Sequence, residues 1–203
     1  REPLNDTKKY ILVNSIFPIH LSNICQKQKI KFIHISTDCV YSGAKGNYYE
    51  SDLHDETNIY GVSKSLGENI NYGTIIRTSI IGEEINNKKS LLEWVKSNQN
   101  GEISGYANNY WNGITCLELG EYIDFMIRND KYWNGVRHIY SPETVSKFEL
   151  CKMINKIYNL NIKILKKTNN KIDKTLKSKY KFLKKINNLE TQIINLKSFK
   201  LLN

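Results

Sequence analysis

The chain has 203 residues, of which 40% are apolar and 25% charged, and it carries a formal net charge of +10. A chain of this length can bury a sizeable core in one or two domains. No apolar run approaches the ~20 residues that a membrane-spanning helix needs, so we expect neither a helical membrane protein nor a membrane partner.

The positive charge lies at the C-terminal end. Residues 161–203 contain twelve Lys against two acidic residues, so this segment accounts for the whole surplus of ten. Such a segment can be a solvated face, an attractor of phosphate groups, or a surface for nucleic acid or membrane. Its aromatic residues do not alternate with the basic ones as base-stacking platforms do. We therefore expect no nucleic-acid binding.

Cysteine and histidine show no ligand pattern. The four Cys and four His are widely spaced, without the paired spacings that metal sites and redox motifs require. We therefore expect reduced thiols, a cytoplasmic protein and no bound metal.

Hydrophobic periodicity divides the chain into alternating helices and strands. Helices are predicted at 7–28, 58–71 and 190–199, strands at 31–36, 74–78, 136–140 and 162–165, and loops at 38–57 and 101–113. Three more helices begin at Ser/Thr-x-x-Glu capping boxes: Ser90/Glu93, Thr115/Glu118 and Ser146/Glu149. In the second of these, five apolar residues at helical spacing are predicted to be core: Leu119, Tyr122, Ile123, Met126 and Ile127.

This alternation predicts an α/β fold with a Rossmann-like parallel sheet and helices on both faces. Ligands of such sheets bind at the carboxyl ends of the strands, which is where Thr37 and Thr78 fall. The Gly-rich stretch at 101–113 suits a small C-terminal substrate-binding lobe over that edge.

A hydroxyl donor at a strand end and a Tyr/Lys pair carry the chemical signal. Thr37 follows a predicted strand, and Tyr60 and Lys64 lie one helical turn apart on one face. A free phenol titrates near ~10, and a nearby ammonium favours its deprotonated form. Tyr60 can therefore act as a general acid on a carbonyl oxygen to which Thr37 donates a second hydrogen bond. This arrangement predicts carbonyl reduction with a nicotinamide cofactor.

The spacing Tyr-x-x-x-Lys also occurs at Tyr41/Lys45 and Tyr180/Lys184, so spacing alone decides nothing. The first copy lies in a turn-like stretch, and the second lies in the Lys-rich segment. Only the pair Tyr60/Lys64 opens a predicted helix just after a strand end. Its context therefore selects it.

Five stretches of the sequence, in this order, resemble a known family: residues 14–18, 34–43, 49–52, 60–64 and 77–82. They are similar to the extended short-chain dehydrogenase/reductases, and among these to the dTDP-4-dehydrorhamnose reductase family of sugar-nucleotide 4-reductases. A looser resemblance continues through residues 111–115, 135–140 and 146–150 and covers most of the chain.

The resemblance implies roles for individual residues. Thr37, Tyr60 and Lys64 would form the catalytic triad, and Asn14 would support a proton-relay water. NADPH or NADH would contact the strand ends and the helix: Ser36, Tyr60, Lys64, Arg77, Thr78 and Ser79. The substrate would contact residues after the strands and in the lobe: Asp38, Cys39, Val40, Ile80, Tyr106, Trp111 and Asn112.

The implied function is NAD(P)H-dependent reduction of the 4-keto group of a dTDP- or UDP-linked 4-keto-6-deoxyhexose, and a homodimer is compatible with it. Ile80 replaces the aromatic residue that is usual in rhamnose-forming members, and residues 90–94 and 105–113 look more like reductases of UDP-linked 2-acetamido-2,6-dideoxy-4-hexuloses. The sugar therefore stays open. The alternatives are an epimerase and a catalytically inactive regulatory subunit. Cys39 after Asp38 argues against dehydration.

The resemblance also implies a domain division. Residues 1–82 would be the C-terminal part of an NAD(P)-binding Rossmann domain with the catalytic residues, and residues 83–203 would be mainly the lobe, with some segments returning to the first domain. The family's Gly-rich turn, which cradles the cofactor pyrophosphate, does not occur in this sequence. We therefore expect that about 70 residues with the first strands of the sheet are missing, and that this piece alone binds cofactor poorly.

Overall fold

The computed structural model describes residues 7–86 and 88–199. A long helical region opens the described chain, in agreement with the helix predicted at 7–28. It consists of α1 (Thr7–Ile11), a π-helical segment (Leu12–Ile16) and α2 (Phe17–Lys27). A π-helical segment is a local widening of a helix and is frequent at functional sites. Asn14 lies at its centre.

The remaining elements alternate as the sequence predicts. In chain order they are β1 (Ile33–Thr37), a 3₁₀ turn (Asp38–Val40), α3 (Ile59–Gly67), β2 (Thr74–Thr78), β3 (Ile80–Ile81), α4 (Leu91–Ser97), β4 (Glu102–Tyr106), β5 (Asn109–Trp111), β6 (Ile114–Thr115), α5 (Cys116–Arg128), β7 (Gly135–His138), β8 (Val145–Ser146), α6 (Lys147–Tyr158), β9 (Lys163–Lys167), β10 (Ile172–Asp173) and α7 (Leu189–Ser198).

β1, β2 and β7 form a parallel sheet in the order β1-β2-β7. Thr37 pairs with Thr78, so β1 and β2 end side by side at the carboxyl edge. Neighbouring residues of a strand point to opposite faces: Ile76 packs against α5, whereas Arg77 bonds to Glu68 beside α3. The sheet is thus covered on both faces, which confirms the predicted Rossmann-like α/β fold.

A second core lies among the later elements. α4, α6 and α7 pack with the parallel pair β4·β9. Its buried apolar residues include Leu92, Val95, Ile103, Leu150, Ile154 and Ile193. The core at the sheet also draws on Ile114, α5 and Ile186, so later segments pack onto the first part of the chain. The domain division at residue 82 stays a prediction.

The structure differs from the sequence prediction at several places. Residues 101–113, predicted as a loop, contain β4 and β5. The sequence did not reveal these strands because their partners β8, β9 and β10 lie far along the chain. α3 ends at Gly67, earlier than the predicted Asn71. Ile127, predicted as core, is 54% exposed at the edge of the α5 apolar face, whereas Met126 is fully buried.

The predicted N-caps of α4, α5 and α6 all form, since Ser90, Thr115 and Ser146 accept backbone N–H bonds. Only Ser146 forms a reciprocal capping box, with Glu149. The Glu118 carboxylate accepts hydrogen bonds from Asn187 instead and joins α5 to the segment before α7.

Within the described ranges, no helix has the length and apolarity needed to cross a membrane. The same residues contain no cluster of three or more His, Cys, Asp or Glu that could hold a metal ion.

Gly67 permits the close approach of α3 to the π-helical segment, because a Cβ there would overlap the Asn14 carbonyl oxygen. We predict that Gly67→Ala lowers the free energy of unfolding by about 1–3 kcal/mol, the usual cost of overpacking. The control is Gly120→Ala on α5, where a Cβ would meet nothing within 4 Å. Gly120→Ala should stabilise the protein by about 0.5–1 kcal/mol. Urea unfolding measures both, and equal effects would contradict the packing argument.

Candidate active site

A small cavity opens at the carboxyl end of β1 and β2 and has a volume of about 160 Å³. Its wall consists of Ile35, Ser36, Thr37, Tyr60, Lys64, Thr78, Ser79 and Ile80. The residues predicted as the catalytic triad, Thr37, Tyr60 and Lys64, therefore meet at one site. The other two Tyr/Lys pairs of the sequence lie in irregular segments.

Helix α3 presents Tyr60 and Lys64 to this cavity. Asn58 caps the start of the helix, and its side-chain oxygen accepts a hydrogen bond from the Gly61 N–H at 2.9 Å. The Lys64 ammonium donates to the Ile35 carbonyl of β1 at 2.9 Å, which joins the helix to the strand. Burial lowers the pKa of Lys64, and the Glu68 carboxylate opposes this by raising it.

Thr37 is the last residue of β1 and is 7% exposed. Its hydroxyl accepts a hydrogen bond from the Cys39 N–H at 3.1 Å and donates a long one to Asp38 Oδ1 at 3.2 Å. The first of these bonds caps the 3₁₀ turn that follows. The oxygen is therefore fixed, while its proton is only weakly engaged.

Asn14 contacts α3 and does not line the small cavity. Its Nδ2 donates to Ser63 Oγ at 3.0 Å, and Ser15 Oγ donates to the Ser63 carbonyl at 2.7 Å. Both bonds meet α3 at the residue before Lys64. The relay role of Asn14 stays a prediction.

A larger cleft of about 600 Å³ adjoins the small cavity and shares Ser79 and Ile80 with it. Asp38, Cys39 and Ile80 line it on the sheet side, as predicted for substrate contacts. The other lining residues come from later segments of the chain: Glu84, Lys89, Ser90, Leu91, Asn109, Tyr110, Trp111, Lys147, Ile172 and Lys174. The cleft thus lies between the sheet edge and the later elements of the chain.

Arg77 does not point into either cavity, contrary to the prediction that it contacts the cofactor. It is 1% exposed and binds the Glu68 carboxylate through Nε at 2.9 Å and through Nη2. Its other N–H groups donate to Tyr41 Oη at 2.6 Å and to the rings of His138 and His54, each at 2.8 Å. Strand alternation explains this placement, because Arg77 faces α3 and its neighbour Thr78 reaches the cavity.

Other predicted contacts have structural roles. Val40 is fully buried against Tyr41, Tyr48 and Leu176, and its side chain lines neither the small cavity nor the large cleft. Asn112 donates to the Leu176 carbonyl and accepts from its N–H, both at 2.9 Å. These bonds occupy both ends of its amide.

The remaining lobe predictions divide. Tyr106 lies on β4 and lines neither cavity. Trp111 lines the cleft although it is only 3% exposed, and the Lys147 ammonium lies 4.8 Å from the centre of its ring.

Sequence reasoning missed several residues near the site. Lys89, Lys147 and Lys174 carry positive charge to the cleft from three different segments. Asn109 also lines it, and its Oδ1 is buried without a hydrogen-bond partner among the described residues. Glu68 had a readable signal, because it continues the row of Tyr60 and Lys64 by one more helical turn.

Comparison with known proteins now identifies the family. The family model described as the RmlD substrate binding domain matches residues 5–200. The chain belongs to this family. It is 28% identical over 152 residues to a dTDP-4-keto-6-deoxy-D-glucose reductase of Streptomyces niveus, covering 70% of this chain and 51% of the relative. It is also 28% identical over 169 residues to the spore coat polysaccharide biosynthesis protein SpsK of Bacillus subtilis, covering 79% and 58%.

The chain thus spans little more than half the length of these curated relatives. Among solved structures, it resembles a dTDP-4-dehydrorhamnose reductase of Bacillus anthracis in complex with NADP, with a TM-score of 0.78, 24% identity, and coverage of 95% of this chain and 74% of that one. A hypothetical dTDP-4-dehydrorhamnose reductase of Sulfolobus tokodaii gives a TM-score of 0.72 at 26% identity, with coverage of 85% and 64%. These likenesses support the same Rossmann-like fold.

The environment of Arg77 makes stability depend on pH through His138. Burial, followed by the Arg77 charge, lowers the pKa of His138 to about 4. An unfolded histidine titrates near ~6.5, so the unfolded chain binds this proton first as the pH falls. The stabilising contribution is therefore complete above about pH 6.5 and is lost between there and pH 4.

We predict that His138→Gln removes about 2 kcal/mol of the stability difference between pH 7 and pH 5. Urea unfolding at the two pH values measures this difference. The exposed His20 serves as the matched control, and His20→Gln should leave the difference unchanged. If the His138 variant kept the full wild-type stability difference between pH 7 and pH 5, His138 would not be its source.

Proposed function

We propose that this chain forms the catalytic part of an NAD(P)H-dependent reductase that converts the 4-keto group of a nucleotide-linked 4-keto-6-deoxyhexose to a hydroxyl. The observation that carries the proposal is the meeting of Thr37, Tyr60 and Lys64 around one cavity at the carboxyl edge of a parallel sheet. The family and the printed names of the relatives support the same reaction class.

The small cavity suits the nicotinamide end of NADPH or NADH. Hydroxyl and ammonium groups from Tyr60, Lys64 and Thr78 line it, and these are donors for ribose hydroxyls and a carboxamide. Ser36 and Ser79 are the other predicted cofactor contacts that line the cavity. We do not include Arg77 among the proposed contacts, because it does not line the cavity and binds Glu68 instead. The bound cofactor supplies hydride.

The chain's own residues then manage the charge and the proton. Tyr60 donates its phenolic proton to the substrate oxygen, on which negative charge builds during reduction. Thr37 supplies the second hydrogen bond to that oxygen, which requires only that its proton leave the long contact with Asp38. Lys64, held by the Ile35 carbonyl, favours the phenolate that remains.

The larger cleft suits a sugar nucleotide. Its volume of about 600 Å³ lies in the range of small-molecule sites. Lys89 and Lys147 offer positive charge to a diphosphate, while Tyr110 and Trp111 add aromatic surface. The ammonium of Lys174, which also lines the cleft, is paired with Glu56 at 3.1 Å. Ile80 lines both cavities, so it lies where the sugar would meet the nicotinamide. The nucleotide, dTDP or UDP, stays open.

Two smaller parts of the prediction belong to the same proposal. A cytoplasmic location is supported by the cysteines at 25, 39, 116 and 151, all of which are free thiols. A homodimer is supported by exposed apolar side chains on the first helical region, including Leu12, Val13 and Phe17.

Tyr60→Phe in the full-length protein should abolish reduction while leaving cofactor binding within about twofold, because the ring remains and only the proton donor is lost. NADPH oxidation with dTDP- and UDP-linked 4-keto-6-deoxyhexoses measures turnover, and fluorescence titration measures cofactor binding. Tyr180→Phe is the control, since Tyr180 belongs to a Tyr/Lys pair outside any helix. Turnover retained by Tyr60→Phe would refute the assignment. Sugar-nucleotide binding by a wild type that never turns over would favour a regulatory subunit.

A second prediction tests the cleft. Lys147→Gln should weaken dTDP or UDP binding about fivefold, because one cation beside the diphosphate is lost, and should leave binding of the uncharged nucleoside unchanged. Isothermal titration calorimetry at low salt measures both ligands. Lys156→Gln is the control, since Lys156 pairs with Glu190 away from the cleft. Equal weakening by both variants would show that the effect is one of overall charge.

A further inference from the structure

Glu68 lies one helical turn beyond Lys64, immediately after the end of α3. Its side chain is 6% exposed. The carboxylate accepts hydrogen bonds from Ser36 Oγ and from the Arg77 guanidinium. A carboxylate at this depth is stable only if it is paired and hydrogen-bonded. Both conditions are met here.

Two consecutive residues of β1 are tied to α3 by these contacts. Lys64 binds the Ile35 carbonyl, and Glu68 binds the side chain of the next residue, Ser36. Thr37 follows directly. The register of the strand end that carries Thr37 is therefore fixed against the helix that carries Tyr60.

The Arg77 side of the contact is equally constrained. Its side chain is 2% exposed, and the remaining N–H groups of its guanidinium are bonded to Tyr41, His54 and His138. Burial and the Arg77 charge lower the pKa of both histidines, so they are neutral near pH 7. The bonds of Arg77 to these three residues fix its orientation, so its guanidinium holds the Glu68 carboxylate in one position.

We propose that Glu68 is a positioning residue of the active site, which aligns the Thr37 strand end with Tyr60 through Ser36 and places a negative charge one helical turn from Lys64. This inference rests on the proposed reductase function.

The charges around Lys64 support the second part. His34 faces it from β1, and burial, followed by the Lys64 charge, lowers the pKa of His34 to about 4, which leaves it neutral near pH 7. On α3 itself the neighbours are Tyr60 and Glu68, and from β2 Arg77 is already paired with Glu68. Glu68 is therefore the anion that counteracts the desolvation of Lys64.

Two variants separate alignment from charge. Ser36→Ala removes the hydrogen bond to Glu68 and keeps both charges. Glu68→Gln keeps an acceptor for Ser36 and removes the negative charge. The control is Ser22→Ala, which also removes a buried serine hydroxyl bond, here to the Tyr72 carbonyl. Neither Ser22 nor Tyr72 lines the small cavity or the large cleft.

For Ser36→Ala in the full-length protein, kcat for 4-keto reduction should fall roughly tenfold to a hundredfold, the effect of a small misplacement of reacting groups. Its KM for the sugar nucleotide should change less than about twofold, because Ser36 does not line the large cleft. The alkaline limb of the pH profile should stay in place. Ser22→Ala should keep wild-type kcat, and a Ser36→Ala kcat equal to that of the control would overturn the proposal.

For Glu68→Gln, the titration midpoint of Lys64 should fall, since the raising influence of the Glu68 anion is lost. The alkaline limb of kcat should move down with it. NMR of ¹³Cε-labelled lysine follows this titration, and Lys64→Arg identifies the signal. An unchanged midpoint would overturn the proposal, and if the variant does not fold, the Ser36→Ala comparison decides alone.

The two proposals fail in different ways. A wild type that reduces no 4-keto sugar nucleotide would refute the reductase function. The Lys64 titration needs no substrate, so it would still decide whether Glu68 governs the charge of Lys64.

Discussion

A buried guanidinium imposes the main constraint on this fold. Arg77 is almost without solvent contact, and a charge at that depth without partners would cost several kcal/mol. Its donors are therefore matched by Glu68 beside α3, Tyr41 after the 3₁₀ turn, and two neutral histidines. These partners come from separate segments, so satisfying one side chain fixes the arrangement of the sheet, the helix and the long loop.

The reactive groups lie just beyond this network. Arg77 and Thr78 are adjacent, but strand alternation sends the first into the network and the second to the cavity. The same holds on β1, where Ser36 bonds to Glu68 and Thr37 ends the strand at the cavity. A buried polar network thus lies directly behind the residues that line the cavity, an arrangement that proteins commonly use to preorganise a site.

Local patterns in the sequence were sufficient for much of the site. Tyr60 and Lys64 were predictable because their relation depends only on helix geometry, and Thr37 because it follows a strongly apolar strand. The sequence could not show which face of β2 Arg77 occupies, because its contact with Glu68 depends on how α3 packs against the sheet. β4 escaped prediction because its partner β9 lies about sixty residues further on. The pairing of the Asn112 amide with the backbone of Leu176 could not be predicted either, because the two residues are equally distant in sequence.

The large cleft joins distant parts of the chain, since Asp38 and Cys39 line it together with Ile172 and Lys174. Contacts of such high sequence separation form late, because the entropy of closing a long loop must be overcome before they stabilise anything. The sheet edge with Thr37 and Tyr60 uses nearer neighbours and can assemble earlier. During biosynthesis, the large cleft would therefore be complete only after the segment with Ile172 and Lys174 has emerged, later than the small cavity at the sheet edge.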